Sequence, residues 1–214
     1  VSLDSFTLVW FVALVVAVIL HEISHGIVAL AFGDDTARRA GRLTLNPVPH
    51  IDPFGSIILP LMGALAHVPV IAWAKPVPVN PARLRNQRRD MLMVSLAGPF
   101  TNFGLAFASA IVARWAFQRL GTPFSGSDDL PLSVLFPLLF AATNLFLGMF
   151  NLLPIPPLDG ASIIERFLPR EWLPGWYRFR QYGILLLIVL VFVTRIPQRV
   201  ITPFLVELYQ FVLT

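Results

Sequence analysis

Long uninterrupted apolar runs, rather than alternating strand patterns, set the architecture of this chain. Thr7 to Leu20 carries no charge, and the run resumes after His21-Glu22-Ile23-Ser24-His25 and continues to Phe32, where Gly33-Asp34-Asp35 ends it. Runs at residues 6–32, 91–113 and 132–153 each reach the roughly 20 residues a helix needs to cross hydrocarbon. Two weaker segments follow: residues 182–194 are short, and 196–213 contain Arg199, Pro203 and Glu207, so this pair can tilt, snorkel or lie partly in the interface. No internal repeat, low-complexity tract or separate soluble domain interrupts them. The pattern predicts an all-α polytopic membrane protein with about five to six transmembrane helices.

The segment from Phe54 to Ala74 is ambiguous, because it lacks Lys, Arg, Asp and Glu yet contains Gly55, Pro60, Gly63, His67 and Pro69. Charge placement chooses between two topologies. If the segment spans fully, the two sides carry 9 and 7 Lys/Arg; if it dips in and returns, they carry 12 and 4. The positive-inside rule favours the re-entrant form. In that topology residues 33–53, 75–90 and 154–181 face the cytosol, and the first and third main spans both run towards it. His21 precedes Phe32 by eleven residues, about 16 Å along a helix. Any chemistry at His21 is therefore expected within the bilayer, nearer the cytosolic side.

Composition supports the membrane setting independently. Hydrophobic residues make up 56% of the chain, charged residues only 13%, and the mean hydropathy is +0.73, whereas a soluble domain carries about 25% charged residues. The formal charge of +4 does not indicate nucleic acid, since the basic residues lie in short loops flanking apolar segments. There is no cysteine, so no disulfide framework is available. The first apolar segment lacks a basic leader and a small-residue cleavage site, and is expected to stay in the mature protein.

His21 and His25 are four residues apart, which on a helix sets them about 40° apart around the axis, so that both imidazoles can grip one metal ion. Glu22 sits beside that position and can take a proton from a water that the metal polarises. As a bare motif this spacing also arises by accident on soluble helices. Here the three residues interrupt an apolar span, where ionisable side chains are costly and mark functional sites.

A catalytic zinc usually takes three protein ligands. Asp159 is the candidate third, in Asn151-Leu152-Leu153-Pro154-Ile155-Pro156-Pro157-Leu158-Asp159-Gly160 at the end of an apolar run. Pro154, Pro156 and Pro157 must interrupt the helix. Non-helical backbone at membrane depth is tolerated only around protein or water, so a water-accessible cavity is implied. In the competing reading, the prolines simply end a span and Asp159 caps the next helix.

Together, the HExxH stretch and the downstream NxxPxxxLDG stretch resemble the site-2 protease family of intramembrane zinc metalloproteases. Gly41-Arg42-Leu43-Thr44-Leu45-Asn46-Pro47, His50-Ile51-Asp52-Pro53, and Ala97-Gly98-Pro99 with Asn102 are similar to its compact prokaryotic branch. The likeness covers about residues 18–165; no inserted PDZ domain is expected, nor the extra span that often precedes the HExxH helix in this family. It implies a protease core at residues 1–168 followed by C-terminal hydrophobic helices at 169–214. It further implies one Zn²⁺ held by His21, His25 and Asp159, Glu22 as general base, and Asn151 polarising the scissile carbonyl or stabilising its oxyanion. An interhelical hydrogen bond is the alternative role for Asn151. Asn102 either packs between helices or lines the cavity.

The expected substrate is a peptide bond within or near a transmembrane segment of another protein, in the cytoplasmic membrane of a prokaryote. A helical substrate hides its carbonyls and must unwind before cleavage. Arg42, Leu43, Thr44, Leu45 and Asn46 alternate as a short strand that could pair with it; a plain surface hairpin is the other reading. His50 is expected to order a turn near Pro49 and Pro53, and His67 to face a neighbour or water. A divalent-cation transporter and a non-catalytic membrane scaffold remain as alternatives from other classes. Transport requires no Glu between the two ligands and would need a relay rather than one metal constellation, and an intact Glu22 argues against the scaffold.

Overall fold

The computed structural model of the chain describes residues 5–58, 62, 74–120, 130–194 and 196–214. Three of its helices are long and apolar enough to cross a membrane: α1 (Ser5–Ala31), α3 (Gln87–Leu120) and α4 (Leu132–Asn151). The short α2 (Thr36–Arg39) follows α1, while α5 (Ala161–Phe167), α6 (Leu173–Arg180), α7 (Gly183–Ile188) and α8 (Ile196–Leu213) follow α4. The three main spans start and stop near the expected places, except that α3 runs on into charged sequence at both ends. Hydropathy marks the part of a helix in hydrocarbon, and a helix can continue into water.

Of the expected five to six spans, three are found among the described residues. The C-terminal apolar sequence is cut into shorter pieces: α7 passes into a π-helical stretch, Val189–Thr194, before α8 begins. Residues 59–61 and 63–73, including His67 and most of the ambiguous segment, lie outside the described residues.

Small side chains at steps of four bring the spans together. The buried stripe of α1 runs Ala13, Ala17, His21, His25, Ala29, and that of α3 runs Val94, Gly98, Asn102, Ala106, Ala110. Without a hydrophobic drive between helices in lipid, such small residues allow the close approach from which packing energy comes. On α4, Gly148 does the same against the Phe103 ring, only 2.8 Å from where a Cβ would stand. The helix α8 packs on α3 and α4, with Val212 joining Ala110, Ala113, Leu138 and Ala141 in one buried cluster. Large apolar side chains such as Leu8, Phe11, Phe107 and Trp115 point outward, as a lipid-facing surface requires.

One end of this bundle gathers the loops. The Arg85 amide donates to the Phe32 carbonyl, Arg83 pairs with Asp35, and the Asn80 amide donates to Asp34. The chain therefore leaves α1 and re-enters α3 at the same end. Arg88, in the first turn of α3, donates to the carbonyls of Glu165, Arg166 and Leu168, which ties the end of α5 to that face as well.

Residues 42–46 form bends, and there is no strand among the described residues, which corrects the expected edge strand. Local side chains capture the backbone groups that a strand would offer. Thr44 Oγ1 accepts from the Asn46 amide and His50 Nε2 takes the Thr44 carbonyl, while buried Arg42 donates to the carbonyls of Lys75 and Pro76. His50 thus orders a turn, as expected.

Candidate metal centre

Two interruptions of regular packing build the site. Gly98 lets α3 approach α1 at the histidines: a Cβ there would lie 2.4 Å from His21 Cε1 and 2.6 Å from His25 Cε1. Beyond α4 the chain makes a tight turn, closed by the Gly160 amide on the Asn151 carbonyl at 2.7 Å. A Cβ on Gly160 would meet the Leu152 carbonyl oxygen at 2.3 Å, so only glycine fits. Gly183 of α7 seats against the Pro156 carbonyl from the other side. The turn carries Asp159 back towards α1, and Gly160 rather than Asp159 occupies the position before α5. The capping role for Asp159 is therefore not the one found.

His21 Nε2, His25 Nε2 and Asp159 Oδ2 converge: the two nitrogens are 3.0 Å apart, and the oxygen lies 3.1 Å and 3.4 Å from them. The opposite ring nitrogens face acceptors, His21 Nδ1 at 2.5 Å from Asn102 Oδ1 and His25 Nδ1 at 2.7 Å from the Val94 carbonyl. A ring nitrogen facing a carbonyl must carry the proton, so in neutral rings both Nε2 lone pairs point at the carboxylate. Three electron-rich atoms packed this closely repel unless a cation lies among them. Asp159 Oδ2 is buried with no hydrogen-bond partner.

The donor set fits zinc. Bonds of about 2.0–2.1 Å in a tetrahedron place neighbouring donors about 3.3 Å apart, close to the separations observed here. Among the described residues, His21, His25 and Asp159 are the group that could hold a metal. His50 stays with its turn.

Glu22 is oriented from outside its helix. Its Oε2 accepts from the Val77 amide at 2.8 Å. Val77 belongs to a strap without regular structure, residues 74–80, held at one end by Arg42 and at the other by Asp34. Asp34 also receives the Thr36 amide and hydroxyl. Burial works to raise the Asp34 pKa, but these hydrogen bonds and Arg83 outweigh it and hold the carboxyl below the usual carboxylate range.

The other expected residues divide. Asn151 spends its amide on the Leu147 carbonyl of its own helix. Asn102 is fully buried with both ends of its amide engaged, so it backs His21 rather than lining an open groove. Leu43 packs where Gly26 leaves room, while Leu45 and Asn46 are exposed. The sequence reading missed Asn144, which accepts from Asn102 Nδ2 at 2.7 Å. A polar side chain inside an apolar span was the available signal. Val94 and Val77 contribute through backbone groups, which leave no mark in sequence.

The model of peptidase family M50 matches residues 9–128 and 126–193. The chain belongs to this family, that of the site-2 proteases. It is 37% identical over 198 residues to the Bacillus subtilis (strain 168) protein named "Putative zinc metalloprotease YwhC", covering 91% of this chain and 84% of that one. The Mycobacterium tuberculosis protein named "Putative zinc metalloprotease Rip2" is 33% identical over 82% of this chain and 63% of its own length. "Zinc metalloprotease MJ0392" of Methanocaldococcus jannaschii is 25% identical over 78% of this chain and 36% of its own length. No solved structure matches.

Proposed function

We propose that this M50 member is a zinc metalloprotease that cuts transmembrane segments of other proteins inside the bilayer. The observation that carries the reading is the convergence of His21, His25 and Asp159 beside Glu22, on a helix apolar enough to span. His21, His25 and Asp159 would hold the ion. When bound, zinc polarises both the attacking water and the scissile carbonyl. Glu22 does the proton work: with Oε2 held by the Val77 amide, Oε1 takes the proton from the attacking water and returns it to the leaving amine. Asn151 Nδ2 donates one N–H to the Leu147 carbonyl, and we assign its second N–H to the scissile carbonyl in the substrate-bound state.

The return of the chain to one end between α1 and α3 supports a re-entrant path for residues 54–74. Counted from the sequence on that path, 12 Lys/Arg fall on one side against 4 on the other, which supports a cytosolic orientation with the site nearer that side. Substrate contact is assigned to the accessible part of the bent loop, Thr44, Leu45 and Asn46. Arg42, Leu43 and Asn102 serve internal contacts.

The test is a single-span peptide substrate in liposomes with the full chain, its products mapped by mass spectrometry. A cut within the apolar stretch is expected. Cuts confined to the aqueous flanks, or none, would reject the intramembrane reading.

A further inference from the structure

The hydrogen bonds behind His21 form a chain whose direction is set at its far end. Asn144 Nδ2 lies 2.8 Å from the Phe140 carbonyl, which can only accept. The amide group of Asn144 must therefore face Phe140, and its Oδ1 must face Asn102. Asn102 Nδ2 then donates to that oxygen at 2.7 Å, which turns Asn102 Oδ1 towards His21 Nδ1 at 2.5 Å. Reversing any link would set two acceptors or two donors against each other in a place without water, since both asparagines are fully buried.

We propose that Asn102 and Asn144 are positioning residues that fix His21 in its Nδ1–H tautomer, presenting the Nε2 lone pair to the metal. The proposal rests on the zinc-site reading above, and it adds two residues that touch neither metal nor substrate. His25 is locked separately, by the Val94 carbonyl. Each imidazole thus has its own lock, and only His21's depends on side chains. Partners of this kind typically govern metal affinity by 10–100-fold. A merely structural asparagine pair would hold α3 to α4 and leave the ring's proton free to choose.

The test reads ¹⁵N-imidazole spectra of the zinc-free full chain in detergent at alkaline pH, with zinc affinity measured by chelator competition. Wild type should show His21 as the Nδ1–H form. Asn102→Leu should mix His21 tautomers and weaken zinc about 10–100-fold, while the His25 signal stays put and reports an assembled helix pair. Asn144→Leu should give a smaller loss in the same direction. Wild-type His21 protonated on Nε2 would overturn the proposal whatever the variants do. So would an Asn102→Leu protein that keeps the Nδ1–H form and binds zinc within twofold of wild type. Neither readout involves cleavage, so a protein with the expected tautomer and no proteolysis would defeat the protease reading alone.

Discussion

Asn102 Oδ1 sits 2.5 Å from His21 Nδ1, on the side of the ring away from Asp159. That one contact moves Asn102 from a candidate cavity residue to a support of the His21 imidazole. It also orders the site from the outside in: α4 orients Asn144, Asn144 orients Asn102, and Asn102 orients His21. A second series runs through the loops, where Asp34 and Arg42 hold the strap and the strap holds Glu22.

Asp159 Oδ2 is one of three converging atoms that could hold a metal, and it has no hydrogen-bond partner. Asp159→Ala should lower zinc affinity by more than about 100-fold, beyond the range of an outer-shell change, while the helical circular dichroism persists. Zinc bound with unchanged affinity would show that the carboxylate is not a ligand.

Gly98 and Gly104 lie six residues apart on α3 but differ in what surrounds them. A Cβ at Gly98 strikes both imidazoles, whereas nothing lies within 4 Å of one at Gly104. Gly98→Ala should cost about 1–3 kcal/mol from overpacking and weaken zinc binding. Gly104→Ala should leave both near wild type, and thermal unfolding with a zinc titration on the two variants checks the contrast.

Val77 acts on Glu22 through its backbone amide, so the informative change removes the N–H. A hydrogen bond to a charged group contributes about 1.5–3 kcal/mol, and Val77→Pro should reduce kcat about tenfold or more with zinc content unchanged. An unaltered kcat in a folded, zinc-loaded variant would remove the strap from the catalytic account.

Asp34 gives the strap a pH dependence. Its carboxyl is held below its unfolded value because the hydrogen bonds from Thr36 and Asn80 outweigh burial. The resulting stability is complete above the unfolded pKa of about 3.9 and is lost as pH falls through the lower folded value. Wild type should therefore be more stable than Asp34→Asn at neutral pH, and the gap should close as the solution is acidified below about pH 4. A gap independent of pH would mean that the ionised form is not what the loop recognises.

The helix α1, the paired histidines and Asp159 were legible in sequence because each breaks an apolar background at a spacing with a chemical meaning. The long α3 was legible only in its hydrocarbon part. Residues 42–46 alternate as a strand does, but pairing also needs free backbone groups, and the Thr44 and His50 side chains take the Asn46 amide and the Thr44 carbonyl. The Val94 carbonyl and Val77 amide could not be found at all, since every residue has such groups and only the fold decides which are aimed at the site. Asn144 could have been found, for burying an amide in a membrane helix requires a partner.

Glu22 is the residue on which the whole account turns, and replacing it by glutamine separates binding from catalysis. Zinc content and cleavage of a transmembrane peptide should be measured together on wild type and Glu22→Gln. Both proteins should hold one zinc per chain, and the variant should cleave at least about 100-fold more slowly. Equal cleavage by the two proteins, or metal flux into vesicles without any cleavage by wild type, would contradict the account.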